Sequence, residues 1–400
     1  RQFLGLEVNP RAAAIAELVL WIGWLQLHYR QSKSDPGEPI LKALHNIKCV
    51  DAVLTWDGYP LPKMVDGRET YPGARQPDWP MAEFIVGNPP FVGGKDIRSR
   101  MGDGYIEALW GAHRKVNNSA DFVMYWWDHA AELLTAKGTV LRRFGPTTTN
   151  SITQVFQRRV VERHLIAQKP VSLLMAIPDH PWTKASKDAA AVRIAMTVAA
   201  AGSAEGVLRE VVTESGLASD DPAIELSDRL GNINANLTVG TDVTQAKELV
   251  ANFGLSSPGV KLHGDGFIVQ PSELSMLGWG QREGLEAHVR PYRNGRDLTA
   301  RSRDAMVIDL FGLTSEDVRQ RFPEVFAHLV REVKEKQDDA GKPVGRDWNN
   351  RESYRKNWWV FGEPRSELRP ALVGLERYIA TVETMRHRVF QFLPAETLPD

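Results

Sequence analysis

Glu83-Phe84-Ile85-Val86-Gly87-Asn88-Pro89-Pro90-Phe91 is an apolar run that stops at an asparagine and two prolines. Residues 83–86 read as a strand. Consecutive prolines fix φ and forbid helix, so the chain leaves that strand in one rigid shape. In open α/β sheets, ligands bind beyond the carboxyl ends of strands. A loop of this shape can aim the Asn88 side-chain oxygen and the Pro89 carbonyl at one target. Two acceptors beside an aromatic face suit an exocyclic NH2 on a planar ring, with Phe91 stacked on the ring. The plainer reading of the same residues is a rigid turn with a half-buried Phe.

Outward from this loop, strand and helix signals alternate. Phe3 to Val8 reads as a buried strand, and residues 10–30 as a core helix with Asn9 as N-cap and Pro10 in its first turn. Asn46 to Val50 reads as a short strand ending at Asp51. The stretch 57–80, with Gly58-Tyr59-Pro60 and Tyr71-Pro72-Gly73, reads as a surface insertion. A helix is expected over about 120–136, closed by Gly138, then a strand from Thr139 to Phe144 and a β-branched run over 188–200 that closes the sheet. Such alternation predicts a parallel α/β sheet covered on both faces. At 202–220 the chain turns Ala/Gly/Ser-rich and then reads Ser219-Asp220-Asp221-Pro222, which places a domain boundary there. The prediction is one domain over 1–205 and a second over 220–400.

The 400 residues carry 49 Lys+Arg against 50 Asp+Glu, a net charge of −1, which excludes a simple polybasic binder. Hydrophobic residues at 42% and charged residues at 25% are ordinary globular composition. The single cysteine, Cys49, excludes an intrachain disulfide and fits a reducing compartment such as the cytoplasm. The apolar run Ile15 to Leu27 carries Glu17 and Gln26 and falls short of the roughly 20 residues that span a bilayer, so no membrane partner is expected. No basic n-region or cleavage site marks a signal peptide. No His/Cys/carboxylate cluster offers a metal site.

With its surroundings, the Asn88-Pro89-Pro90-Phe91 loop resembles that of the S-adenosylmethionine-dependent amino-group DNA methyltransferases of the adenine-N6 kind. The resemblance implies a Rossmann-like class I methyltransferase sheet, with Asn88, Pro89, Pro90 and Phe91 gripping the amino group of an adenine flipped out of the duplex. Leu6-Glu7-Val8-Asn9-Pro10 resembles the segment in which an acidic residue holds the cofactor ribose, which assigns Glu7 and Val8 to the cofactor. Asp51 matches the residue that takes the cofactor's adenine amino group, and Asn88 lies on the cofactor side as well. Gly138-Thr139-Val140 followed by Thr147-Thr148-Thr149-Asn150-Ser151-Ile152 resembles the strand and polar loop after the catalytic loop. Trp182, after Pro181, resembles the second aromatic against the extruded base. Taken singly, an acid ending a strand, as Glu7 does, is as often an N-cap, Asp51 is a weak signal, and Trp182 is more often a core residue. In this motif order the specificity domain is C-terminal, and the glycine-rich cofactor loop belongs about twenty residues before Glu7. The chain opens on Arg1 with a strand at residue 3, so the methyltransferase sheet is expected to be partial and truncated at its N-terminus. Gly278-Trp279-Gly280, with Gly284, has no convincing strand before it and is set aside as a chance pattern.

The second half resembles the target-recognition region of large single-chain restriction-modification methyltransferases, which implies an α+β domain that binds double-stranded DNA. Residues 281–303 hold six arginines (282, 290, 293, 296, 301 and 303) against Glu283, Glu286 and Asp297. Residues 341–388 again carry more basic than acidic side chains, interleaved with Trp348, Tyr354, Trp358 and Trp359. Arginine reads phosphate and guanine edges bidentately, and aromatics stack on bases. The expected DNA contacts are Arg290, Arg293, Arg296, Arg301, Arg303, Arg351, Arg355 and Lys356. The bland alternative is a solvated basic face over core tryptophans. Three other functions stay open: an RNA-adenine methyltransferase, a protein-glutamine N-methyltransferase, and a catalytically inactive DNA-binding module. The resemblance also leaves room for a nuclease domain or subunit outside these residues, within a restriction-modification or phage-defence system.

Overall fold

The computed structural model describes residues 3–32, 46–58, 61–65, 68–182, 192–217, 219, 222–242, 244, 246–247, 249–349, 351–385 and 387–400. Of the expected features, Tyr59-Pro60, the start of the 188–200 run and Asp220-Asp221 lie outside the described residues. The chain forms two compact units, residues 1–246 and 247–400.

In the first unit, β1 (Gly5–Glu7) leads into α1 (Pro10–Ser32) and returns in β2 (Ile47–Cys49), which pairs with β1 in parallel. The Asn9 side chain accepts from the amides of Arg11 at 2.9 Å and Ala12 at 3.3 Å, the expected N-cap. The burial expected of these elements is not found. Phe3 and Val8 are largely exposed, and Ala13 is the one buried residue of α1, with Leu18 and Val19 each 58% exposed. The physical reason is area: a two-stranded sheet covers only a strip of a 23-residue helix. By length and composition alone α1 is long and apolar enough to cross a bilayer, longer than the apolar run read from the sequence.

A hairpin, β3 (Lys63–Val65) and β4 (Arg68–Thr70), lies in the expected insertion. Its flanks are not mere surface, since Trp56, Tyr71 and Trp79 pack on the core and the Trp79 indole donates to the Ala52 carbonyl at 2.7 Å. Then come β5 (Phe84–Gly87), α2 (Ile97–Met101), α3 (Asp103–Ala112), α4 (Met124–Thr135), β6 (Arg143–Thr149), α5 (Val155–Leu165), β7 (Val171–Pro181), β8 (Arg193–Ala201), β9 (Gly206–Ser215) and β10 (Ala223–Gly231). The sheet order is β10-β9-β7-β8-β6-β5. Helix α4 buries Met124, Tyr125, Trp127, Ala130, Ala131 and Leu134, and the Trp127 indole donates to the Thr197 hydroxyl at 3.2 Å, pinning the helix to β8.

This sheet corrects the parallel prediction. β5 and β6 run parallel across the α4 crossover, as do β7 and β9, but β8 is antiparallel to both β6 and β7, and β10 is antiparallel to β9. β7 ends at Pro181 and β8 begins at Arg193, a separation that suits antiparallel neighbours, whereas parallel neighbours need a longer crossover. The strand expected at 139–144 lies at 143–149 instead. Thr139 Oγ1 accepts from the Leu141 amide at 3.1 Å, a local turn that keeps 139–141 off the ladder.

The first compact unit extends past residue 205, the end expected for the first domain. β9 pairs with β7 at Met175↔Val207, so the first unit continues to residue 246. Gly206 serves close packing, since a Cβ there would lie 2.0 Å from the Leu173 carbonyl oxygen.

The second unit is an α+β assembly around Val260, Phe267, Leu285, Val307, Ile308, Phe322, Leu329 and Leu398. Its sheet runs β11-β13-β12-β16, from β11 (Ile268–Val269), β12 (Val289–Arg293), β13 (Met306–Ile308) and β16 (Leu398–Pro399). Short helices α6 (Gly295–Thr299), α7 (Ser315–Arg321), α8 (Pro323–Leu329), α9 (Glu352–Lys356) and α10 (Leu368–Leu372) surround it, with a hairpin of β14 (Arg377–Thr381) and β15 (Phe390–Pro394). Capping boxes open α6 (Asn294 with Asp297) and α7 (Thr314 with Asp317).

Candidate active site

Asn88 stands one residue past the β5–β6 ladder, where Gly87 pairs with Pro146. Its side chain is exposed, and among the described residues nothing hydrogen-bonds to it or to the Pro89 carbonyl. Pro89 is buried, the Val92 amide donates to the Pro90 carbonyl at 3.1 Å, and the Phe122 amide donates to the Val92 carbonyl at 2.9 Å. The loop is thus held through its distal half while two acceptors stay uncommitted. Phe91 meets Trp182, just past β7, edge-on with ring centroids 6.5 Å apart at 89°, and Trp182 remains 38% exposed. Two aromatics expected from separate parts of the sequence are therefore neighbours.

Glu7 ends β1, and one of its carboxylate oxygens accepts from the Asn9 amide at 2.8 Å. No partner for the other is found among the described residues, which suits a diol donor. Val8, 68% exposed, offers a carbonyl that the Cys49 thiol approaches at 3.6 Å. Asp51 follows β2 and is more committed: Oδ1 accepts from Val53 at 2.8 Å and Leu54 at 3.2 Å, and Oδ2 accepts from the Tyr105 hydroxyl at 2.8 Å. Burial, reinforced by the Asp51 charge, raises the Tyr105 pKa, so that hydroxyl is a fixed donor. Asp51 Oδ1 is filled by its two amides, while Oδ2 keeps one acceptor site beyond the Tyr105 bond, so Glu7 and Asp51 still offer acceptors that fit a nucleoside carrying a diol and an amino group. Tyr105 and Asp121 were not singled out in the sequence. Asp121 accepts from the Gly94 amide at 2.9 Å and the Ser151 hydroxyl at 2.5 Å, and its one sequence signal is an acid just ahead of α4.

Helices α4 and α5 carry buried ionisable groups. Burial raises the Asp128 carboxyl, but His164, at 2.7 Å, and Arg163 outweigh it and hold the pKa below the ordinary value. His129 packs edge-on against Trp79 with centroids 4.5 Å apart, and neither ring nitrogen has a hydrogen-bond partner. Burial, with a smaller push from His113, lowers its pKa to about 4.

The family model for the MmeI DNA-methyltransferase domain matches residues 1–208 of the 400. The chain belongs to the MmeI DNA-methyltransferase domain family. The expected restriction-modification type of DNA methyltransferase domain is therefore the one this chain carries. Among solved structures, the chain is similar to the type IIL restriction-modification enzyme MmeI, whose structure was determined in complex with DNA. The match has a TM-score of 0.61 at 18% identity and covers 100% of this chain and 49% of that one, so the likeness is one of fold and the chain spans about half the length of that protein. A comparison with curated proteins found no match.

The MmeI-type domain is followed by the basic segments of the second unit, where most of the expected DNA contacts have internal partners. Arg290 donates to the carbonyls of Glu396 at 2.9 Å and Ala395 at 3.0 Å, and burial lowers its pKa. Arg293 reaches Asp304 at 3.0 Å. Arg303 chelates Asp297, whose side chain is 1% exposed, with bonds of 2.9 and 2.8 Å. Arg351 packs on Tyr354, Arg355 donates to the Asn349 carbonyl at 2.6 Å, and Lys356 pairs with Glu352 at 2.8 Å. Arg296 and Arg301 are exposed, and no side-chain partner for either is found among the described residues. The glycines set aside in the sequence, Gly278, Gly280 and Gly284, lie in turns after the short helix Pro271–Leu277. Among the described residues no group of three or more His, Cys, Asp or Glu could hold a metal ion.

Proposed function

We propose that this chain is the core of a DNA methyltransferase that transfers a methyl group to N6 of an adenine flipped out of duplex DNA, within a restriction-modification or phage-defence system. The single observation that carries the proposal is the pair of uncommitted acceptors, Asn88 Oδ1 and the Pro89 carbonyl, beside the Phe91–Trp182 aromatic pair in an MmeI-type domain. N6 cannot meet a methyl donor inside the base stack, so the base must leave the helix. S-adenosylmethionine, when bound, supplies an electrophilic methyl group. Glu7 would hold its ribose diol, Val8 and Asp51 its adenosine portion, and Asn88 the boundary with the target amine.

The chain's own work is on the target amine. The N6 lone pair is delocalised into the ring and is a poor nucleophile. Hydrogen bonds from the N6 hydrogens to Asn88 and Pro89 strengthen as nitrogen becomes pyramidal, which stabilises the transition state more than the ground state. Phe91 and Trp182 hold the base so that nitrogen points in line at the methyl carbon. The surplus N6 proton would pass to water once the amine has taken up the methyl group, with Asn88 and the Pro89 carbonyl still holding the nitrogen. The second unit reads DNA as a target-recognition domain, with Arg296 and Arg301 available to phosphate.

The test is incubation of the full-length protein with labelled S-adenosylmethionine and mixed-sequence plasmid DNA, followed by digestion to nucleosides. Label on N6-methyldeoxyadenosine is the expected result. Label only when RNA or a glutamine-bearing protein is supplied would keep the loop chemistry and replace the substrate. Salt-dependent DNA binding with no label on any substrate would leave a DNA-binding module.

A further inference from the structure

The two oxygens of the Asp121 carboxylate serve two different chain segments. Oδ1 accepts from the amide of Gly94, three residues past Phe91, at 2.9 Å. Oδ2 accepts from the hydroxyl of Ser151, just past β6, at 2.5 Å, and that hydroxyl also meets the Thr149 hydroxyl. The contact at Gly94 is tight: a Cβ there would lie 2.3 Å from the Ser119 carbonyl oxygen. Segment 119–122 therefore grips the distal half of the Asn-Pro-Pro-Phe loop from one side and the β6 exit from the other. At that exit, the Asn150 side chain donates to Asp179 at 3.1 Å, on the strand that delivers Trp182. Adjacent residues Asn150 and Ser151 thus join the two walls that carry Trp182 and Phe91.

We infer that Asp121 is a positioning residue: through Gly94 and Ser151 it sets where Asn88, Pro89 and Phe91 stand relative to Trp182. This rests on the proposed function, because that spacing matters to a rate only if those residues hold the target base. A carboxylate accepting from an amide and a hydroxyl makes stronger bonds than a neutral acceptor, so one side chain can bear both segments. Asp121 itself touches neither substrate nor cofactor in this role.

The experiment compares Asp121→Ala, Asp121→Asn and Ser151→Ala in the full-length protein, reading single-turnover methyl transfer and DNA affinity on plasmid DNA. Loop misplacement of the order of 1 Å predicts a rate loss of about 100-fold for D121A with DNA affinity nearly unchanged. D121N should recover to within about tenfold of the unaltered protein, because its oxygen still accepts from Gly94 and its amide donates to the Ser151 oxygen. S151A, which keeps the Gly94 bond, should lose about tenfold, and it decides the question if D121A does not fold. A D121A or S151A rate equal to that of the unaltered protein overturns the role, as does D121N transferring no faster than D121A. If the unaltered protein methylates no substrate, the proposed function falls and takes this role with it. Loss confined to the variants strikes neither.

Discussion

At the mouth of β5, Asn88 and the Pro89 carbonyl carry no hydrogen bond from the described residues, while the chain behind them is fastened at Val92, Gly94 and Phe122. In the second unit most of the arginines expected to reach DNA are fastened themselves, and so is Arg346, which the sequence did not single out. Arg303 is spent on buried Asp297, Arg290 on two carbonyls, and the buried Arg346 on the carbonyls of Leu262, Asn357, Trp358 and Val360. The difference separates polar groups left open on a held loop from polar groups spent on the fold. The first are uncommitted on a rigid support, and the second are committed whatever their charge. Composition cannot make that distinction, since an arginine in a basic run is read alike in either state.

The sharpest way to break the comparison is Asn88→Ala. Removing an uncommitted acceptor should cost at least about 100-fold in methyl transfer and leave DNA affinity and thermal stability unchanged. Transfer within tenfold of the unaltered protein would mean that the loop is only a rigid turn. Arg346→Met is the converse. Burial pushes the Arg346 pKa down to about 10, and its guanidinium answers four carbonyls, so its loss should cost the second unit about 3 kcal/mol or more in a denaturant melt. A melt shifted by less than a third of that would remove Arg346 from the fold's supports.

A third case lies between these. His129 is buried and unpaired, and its folded pKa of about 4 is below the ordinary 6.5. The unfolded chain therefore takes up the proton first as pH falls. Stability fully present above pH 6.5 should decline by about 3 kcal/mol by pH 4, and His129→Phe should flatten that part of the profile. An unchanged slope in H129F would assign the acid sensitivity elsewhere. The smallest effect is expected at the exposed arginines. Arg296→Ala and Arg301→Ala should each weaken DNA binding a few-fold and lower the salt slope by about 1 without moving the melt. Arg303→Ala should move the melt instead, and a salt slope altered only by R303A would reverse the assignment.

The motif at 83–91 was legible because its chemistry is local: two prolines restrict the backbone whatever surrounds them, and the strand before them is a run of apolar residues. Asn9 was legible as a cap for the same reason. Burial and direction were not. Whether α1 is covered depends on how many strands lie against it, and whether β8 runs parallel depends on where its partner turns back. Gly206 could serve equally a linker or the close approach of β9 to β7, and residue type alone does not separate the two.

By itself, then, the sequence determined local features: the rigid Asn88–Phe91 loop, the acid Glu7 at a strand end, and basic stretches with aromatics between them. These depend on bond geometry and side-chain type within a few residues. The tertiary structure alone decided which of them remain available, because a hydrogen bond from Tyr105 to Asp51, or from Arg303 to Asp297, joins groups whose separation along the chain says little about their contact in space. It also decided that Phe91 meets Trp182 and that Asp121 stands behind the loop, since both contacts follow from the order in which strands enter one sheet.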